Sequence, residues 1–221
     1  MNGRTLAPLL LAALLPPFAA FPAAPEDPAC RQEVARLLSR LEEGAGLKAR
    51  FRHVLRAPAL NQTEVEEGTL VVAPGGRTRW EYSRPPGKLA VADGRTSVLY
   101  LPAERQAFVQ RMDGGDLPLA LRLLSGQQRL LEEVACLGAT TVGSLRVYRL
   151  ELLHDDAGIR DVEAAADAET GQLRRIFFRD ALGNEISLEL SEVEVLPKVD
   201  PALFRFSPPP GVTLFEGPGG P

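Results

Sequence analysis

Few side chains in this sequence are suited to making or breaking a covalent bond, and their spacing organises none of them for it. The two histidines, His53 and His154, fall in separate strand-like segments. No Gly-x-Ser-x-Gly elbow, His-x-x-x-His pair, paired-cysteine ligand set or phosphate-cradling glycine loop accompanies them. A lone histidine in a strand pattern is ordinarily structural, and Asp155-Asp156 sits in a turn, where aspartate serves local backbone hydrogen bonds. The sequence therefore predicts no enzyme, no metal site and no cofactor. Cys30 and Cys136 are the only cysteines, and in an exported chain an even pair permits one disulfide; joined and free thiols both stay open. Lipid attachment at Cys30 is the competing role, but Asp27-Pro28-Ala29 lacks the apolar residue that such a signal needs.

The chain's bulk properties narrow the class. Its 221 residues are 45% hydrophobic and 24% charged, ample for a core, and the net charge of −4 with no long basic block argues against nucleic acid as a partner. Residues 1–24 read as an export signal: Arg4 supplies the positive start, Leu6 to Leu15 the short apolar run, and small residues follow. That run is too short, and too interrupted by Pro16 and Pro17, to span a bilayer. The residues from Gly217 to Pro221 read as a frayed tail.

Between these ends the periodicity is mostly that of strands. Val34, Leu37, Leu38 and Leu41 recur at helical spacing between Pro28 and Glu43, and glycines end that helix. Alternating segments then follow at 47–55, 64–72, 77–82, 88–92, 96–101 and 106–111, and again at 146–154, 161–167, 173–179 and 185–195, with Gly, Pro and Asp at the turns. Short strands so closely spaced suggest antiparallel pairing. In the last of them the apolar residues change parity, which places a bulge near Ser191. From Gly114 to Gly138 the period changes to that of two short leucine-rich helices split by Ser125-Gly126. A helical insertion so rich in leucine must lie on something apolar.

The segment Gly68 to Pro86 carries the only Trp. Thr78, Trp80 and Tyr82 share one side of its second strand, Arg77, Arg79 and Glu81 the other, and Leu70 and Val72 repeat the apolar side across an Ala-Pro-Gly-Gly turn. The pattern Gly-x-Leu, a Pro/Gly turn and Arg-Trp-Glu-Tyr, followed by Asp93-Gly94, Tyr100-x-Pro102 and Gln106, resembles the LolA family of periplasmic lipoprotein carriers. The ending Phe204-x-Phe206-x-Pro208-Pro209-x-Gly211-Val212 is similar to that family's last strand, and the likeness runs from about Gly44 to Val212.

The resemblance implies a mainly β fold with a helical lid (α+β): a single curved antiparallel sheet forming an unclosed β-barrel over residues 25–216, its lid at about 116–137. It implies a periplasmic monomer that carries triacylated lipoproteins, taking them from an inner-membrane lipoprotein-releasing ABC transporter to an outer-membrane receptor. Leu70, Val72, Trp80, Tyr82, Leu89, Val91, Leu119, Leu121 and Leu123 are then the expected acyl contacts, with Gly114, Gly115 and Gly126 as hinges. The family's lid-securing Arg is missing before the turn, at Ala73-Pro74-Gly75, which implies either no such latch or its replacement by Arg77 or Arg79. An aromatic of the family's Leu-Trp-x-Tyr strand is replaced by Val98, which implies a wider or less aromatic cavity. On composition alone the same faces suit a solid core with a plain helical cap. The rival readings are an anchored LolB-like receptor, which would want a lipidated cysteine, and an RseB-like stress regulator, which carries a second domain.

Overall fold

Alternating apolar and polar residues make most of the chain half-buried strand, and the computed structural model, which describes residues 25–112, 119–154 and 158–217, arranges those strands in one sheet. Helix α1 (Pro28–Glu42) precedes β1 (Gly46–Ala57), β2 (Gln62–Ala73), β3 (Arg77–Arg84), β4 (Leu89–Asp93), β5 (Thr96–Leu101) and β6 (Gln106–Arg111). A short helix α2 (Leu119–Leu124) and a 3-10 turn (Gln128–Glu132) lead into β7 (Val134–Val142), β8 (Leu145–Leu152), β9 (Ile159–Asp167), β10 (Leu173–Asp180) and β11 (Glu185–Leu196). A further 3-10 turn (Pro201–Phe204) precedes the terminal β12 (Thr213–Glu216). The expected signal segment, Asp155-Asp156, Gly114 to Pro118 and the last four residues lie outside the described residues.

The strand order is β12-β6-β5-β4-β3-β2-β1-β11-β10-β9-β8-β7, a curved sheet whose two edges, β12 and β7, leave it unclosed. Two meanders, β1 to β6 and β7 to β11, are joined where β1 pairs antiparallel with β11. The expected bulge is present: Lys48 opposes Glu194 and Arg50 opposes Ser191, so β11 carries one extra residue, and Glu192 takes the left-handed conformation there with φ 50°.

Three expectations give way. The sheet is not antiparallel throughout, because β12 pairs parallel with β6 after a long return from β11. Val134 to Leu137, expected within the helical insertion, open strand β7, where Val134 and Cys136 are buried at alternate positions. Their spacing fits either period, and pairing with β8 decides for strand. Phe204 to Val212 forms no strand, since consecutive prolines from Pro208 to Pro210 cannot donate to a ladder, and the last strand begins at Thr213.

One face of the sheet is apolar and concave. Leu47, Ala49 and Phe51 of β1 oppose Val72, Leu70 and Gly68 of β2, and with Ile176, Leu188 and Leu190 they enter a common core with Val34, Leu37 and Leu38 of α1. The opposite face carries ion pairs such as Arg52 with Glu67 and Glu189, and Arg179 with Asp161 and Glu185. Exposed pairs contribute little stability each; they keep that face wetted and penalise a one-residue slip of register.

Helix α1 is fastened at its first turn. Asp27 caps it by accepting from the backbone N–H groups of Ala29 and Cys30 at 2.9 and 3.3 Å. A disulfide joins Cys30 to Cys136 of β7, which resolves the open question about the two thiols. Arg146 of β8 holds Glu33 through two hydrogen bonds of 2.8 and 2.9 Å, and that contact is the chief reason the Glu33 carboxyl sits below its usual pKa. The cross-link closes a sequence separation of 106 residues, so replacing both Cys30 and Cys136 by Ser should lower the unfolding free energy by about 3–5 kcal/mol. Urea titration of the double variant against the oxidised parent measures this loss.

Candidate functional site

The middle of the concave face is aromatic. Phe51 meets Trp80 edge-on at a centroid separation of 4.9 Å and Tyr82 at 5.2 Å, a geometry that the ring quadrupoles favour. Register puts Gly68 between Phe51 and Tyr82, and a Cβ there would come within 2.9 Å of the Phe51 ring and closer still to the Glu81 carbonyl. Only glycine leaves space for the rings to meet. Leu70 and Val72 continue the same face, each at most 2% exposed, while Trp80 and Tyr82 are half-buried.

Helix α2 enters the same core as this wall, as a roof beside α1. Leu119 and Leu123, one turn apart, and Leu124 are buried in the same core as Leu38 of α1, and half-buried Leu121 packs against it. None of these contacts is covalent, and Arg122 pairs with Glu133 at 2.7 Å where the roof descends to β7. Gly126, expected as a hinge, also meets a packing demand: at φ 67° its missing Cβ would lie 2.6 Å from the Leu38 carbonyl oxygen. The turn after α2 therefore presses directly on α1.

The predicted contacts divide. Leu70, Val72, Trp80, Tyr82, Leu119, Leu121 and Leu123 come together in and against one core, whereas Leu89 and Val91 do not. Leu89 opposes Glu81 and Val91 opposes Arg79, so both lie on the outer face, where Val91 packs with Ala73 and Phe204. Hydrophobicity alone suggested the concave side for them, but the register brings Ala90 and Ala92 there instead. Val98 opposes Val91 and is likewise outside, so its replacement of an aromatic does not widen the concave site.

Arg77 and Arg79 are not substitute lid fasteners either. Arg77 lies over the Phe204 ring at 5.3 Å and Arg79 donates to the Leu203 carbonyl at 3.1 Å. Both secure the segment that returns across the outer face to β12, where Phe206 also meets Tyr100 at 5.5 Å. Phe51, Leu38 and Leu124 belong to the site but were missed as site residues. The parity of Phe51 with Leu47 and Ala49, and the helical spacing of Leu38 from Val34 and Leu41, carry that signal.

His53 lies on the concave face with Nδ1 3.4 Å from Glu66 Oε2, and His154 is exposed after β8. Among the described residues no group of three or more His, Cys, Asp or Glu could hold a metal, and no helix is long and apolar enough to cross a membrane. Burial, with the charge of Glu66 adding to it, pushes the Tyr82 hydroxyl up to about 12.

This combination of an open sheet, an apolar concavity and a leucine roof has close company among known proteins. Residues 42–207 match the model of the family described as outer membrane lipoprotein carrier protein LolA. The chain belongs to the LolA family. An outer-membrane lipoprotein carrier protein of Halorhodospira halophila is 32% identical over 155 residues, which cover 69% of this chain and 71% of the relative. A LolA relative of the same description from Dechloromonas aromatica is 26% identical across 82% of this chain and 86% of its own length. A solved structure of a conserved protein from Thermus thermophilus shares the fold with a TM-score of 0.55 at 14% identity, covering 84% of this chain and 98% of that one.

Two expectations follow for this LolA member. Tyr82 is raised in the folded chain from 10.0 to about 12, so the folded form retains the proton that the unfolded form loses. Its stabilising contribution is complete below about pH 10 and declines as pH rises toward 12. Denaturant titrations across that window should show a shallower decline for Tyr82→Phe than for the parent. Leu123, 1% exposed, should cost about 2–5 kcal/mol of unligated stability when changed to Ala, as read from the same titrations at neutral pH.

Proposed function

We propose that this chain is a periplasmic carrier that shields the acyl chains of lipoproteins between the concave sheet face and the α1–α2 roof. The observation that carries this reading is the burial of Leu119, Leu123 and Leu124 in the same core as Leu70 and Val72, against which Trp80 packs, with no covalent tie at α2 among the described residues. Such a roof can be exchanged for another apolar body of similar shape. The chemistry required is sequestration, with no bond made or broken.

Magnitudes support a roof that competes with its cargo. Burying a methylene stabilises by about 0.8 kcal/mol, so a sixteen-carbon chain hidden completely would contribute roughly 12 kcal/mol, or about nanomolar affinity. A carrier of that strength would release slowly. Each buried leucine of α2 contributes about 2 kcal/mol to the closed state, and lifting the roof subtracts that sum from the affinity for cargo. Transfer onward then depends on a receptor with a better apolar site. Loading from an inner-membrane lipoprotein-releasing transporter and delivery to an outer-membrane receptor fit this balance.

The attachment of α1 suits the same reading. The disulfide and the Glu33–Arg146 pair fix α1 to β7 and β8, which leaves α2 as the part that yields. The Cys30 sulfur is also engaged, which disfavours an outer-membrane receptor anchored through that residue.

The test is a photo-crosslinking amino acid in place of Trp80, activated in cells. Mature lipoproteins should be trapped on the carrier, and blocking their release from the inner membrane should abolish the adducts. Adducts with phospholipid alone would point to a lipid transporter, and no adduct in a folded variant would mean that the concave face stays closed to ligands.

A further inference from the structure

The concave wall has a polar corner that adjoins the aromatic group. His53 follows Phe51 on the same face of β1, and Glu66 of β2 opposes it in the register next to Gly68. Glu66 divides its carboxylate: Oε1 accepts from Lys88 Nζ, and Oε2 lies 3.4 Å from His53 Nδ1. Lys88 enters from the turn between β3 and β4 and sets its ammonium 4.4 Å from the centre of the Tyr82 ring. The Lys88 and Glu66 side chains are only 18% and 21% exposed. The face thus grades from Trp80 through Phe51 and Tyr82 to a fixed ammonium.

An ammonium has three N–H donors. One goes to Glu66, the Tyr82 ring face attracts the charge, and no other side-chain hydrogen bond of Lys88 is made among the described residues. Glu66 also cancels the charge of Lys88, so the corner offers a directed donor without net positive charge. That disfavours a phosphate or free carboxylate, which needs uncompensated cations, and favours a neutral carbonyl oxygen. Neutral carbonyls next to long apolar chains are the ester groups of a diacylglyceryl moiety.

We infer that Lys88, held by Glu66 and Tyr82, hydrogen-bonds the ester carbonyls at the head of the bound acyl chains and so fixes how deep the cargo sits. This rests on the carrier reading and adds a recognition point to it. His53 steadies the second oxygen of Glu66 and acts as a positioning residue. Orientation by a few polar groups in an otherwise apolar pocket is the usual division of labour in such sites.

The test compares two synthetic ligands on the intact protein: a tripalmitoylated cysteinyl peptide with its glycerol chains ester-linked, and its counterpart with both glycerol chains ether-linked. The ether ligand keeps the hydrocarbon and loses those two carbonyls. The parent should bind the ester ligand about tenfold more tightly than the ether ligand. Lys88→Met, which keeps the stem and removes the donors, should abolish that preference by weakening the ester ligand alone, and Lys88→Arg should retain it. Equal affinity of the parent for both ligands, or an equal loss for both in Lys88→Met, overturns the inference while leaving the carrier reading intact. Failure of the parent to bind either ligand overturns both. Should Lys88→Met not fold, the ester-to-ether ratio of the parent and of Lys88→Arg still decides.

Discussion

An open sheet with one apolar concave face has to be covered by something other than itself. Among the described residues twelve strands curve far enough to create an interior but leave β7 and β12 unpaired with each other, so their pairing does not complete a wall around it. Water in that interior would meet Phe51, Leu70, Trp80 and their neighbours. The leucines of α1 and α2 fill the space instead, and the functional properties of the chain follow from the fact that this filling is non-covalent at α2 and covalently secured at α1.

The two faces divide the work. The concave face supplies area and shape, and the corner built from His53, Glu66 and Lys88 gives it a polar end. The outer face supplies solubility through its ion pairs and also a second, smaller apolar patch of Ala73, Val91 and Phe204. The returning segment after β11 lies over that patch and ends as β12 on the edge of β6. Arg77 and Arg79 therefore serve the outer strap, and the roof is held by packing together with polar contacts such as the Arg122–Glu133 pair and the Gln128–Ser39 hydrogen bond.

How much of this was legible in the sequence can be judged residue by residue. The parity of Thr78, Trp80 and Tyr82 was enough to place them on one face with Leu70 and Val72, because a strand alternates without exception unless bulged. The parity change around Ser191 was enough to locate the bulge at Glu192. Leu89 and Val91 were misplaced because a short strand such as Leu-Ala-Val-Ala has apolar residues at both parities, and hydrophobicity then cannot say which pair faces inward. Val134 to Leu137 was misread for a related reason: so short a run fits a helical period as readily as a strand.

The sequence by itself determined which segments alternate, where turns interrupt them, which helix is amphipathic and that no catalytic constellation is spelled out. Those are properties of neighbours along the chain, set by side-chain geometry within a few residues. Only the tertiary structure decided that β12 runs parallel to β6, that Cys30 meets Cys136, that Leu89 faces away from Trp80 and that Lys88 reaches Tyr82 and Glu66. These depend on register and on contacts between distant segments, and a one-residue shift in pairing, invisible to local pattern, would reverse which side chains share a face.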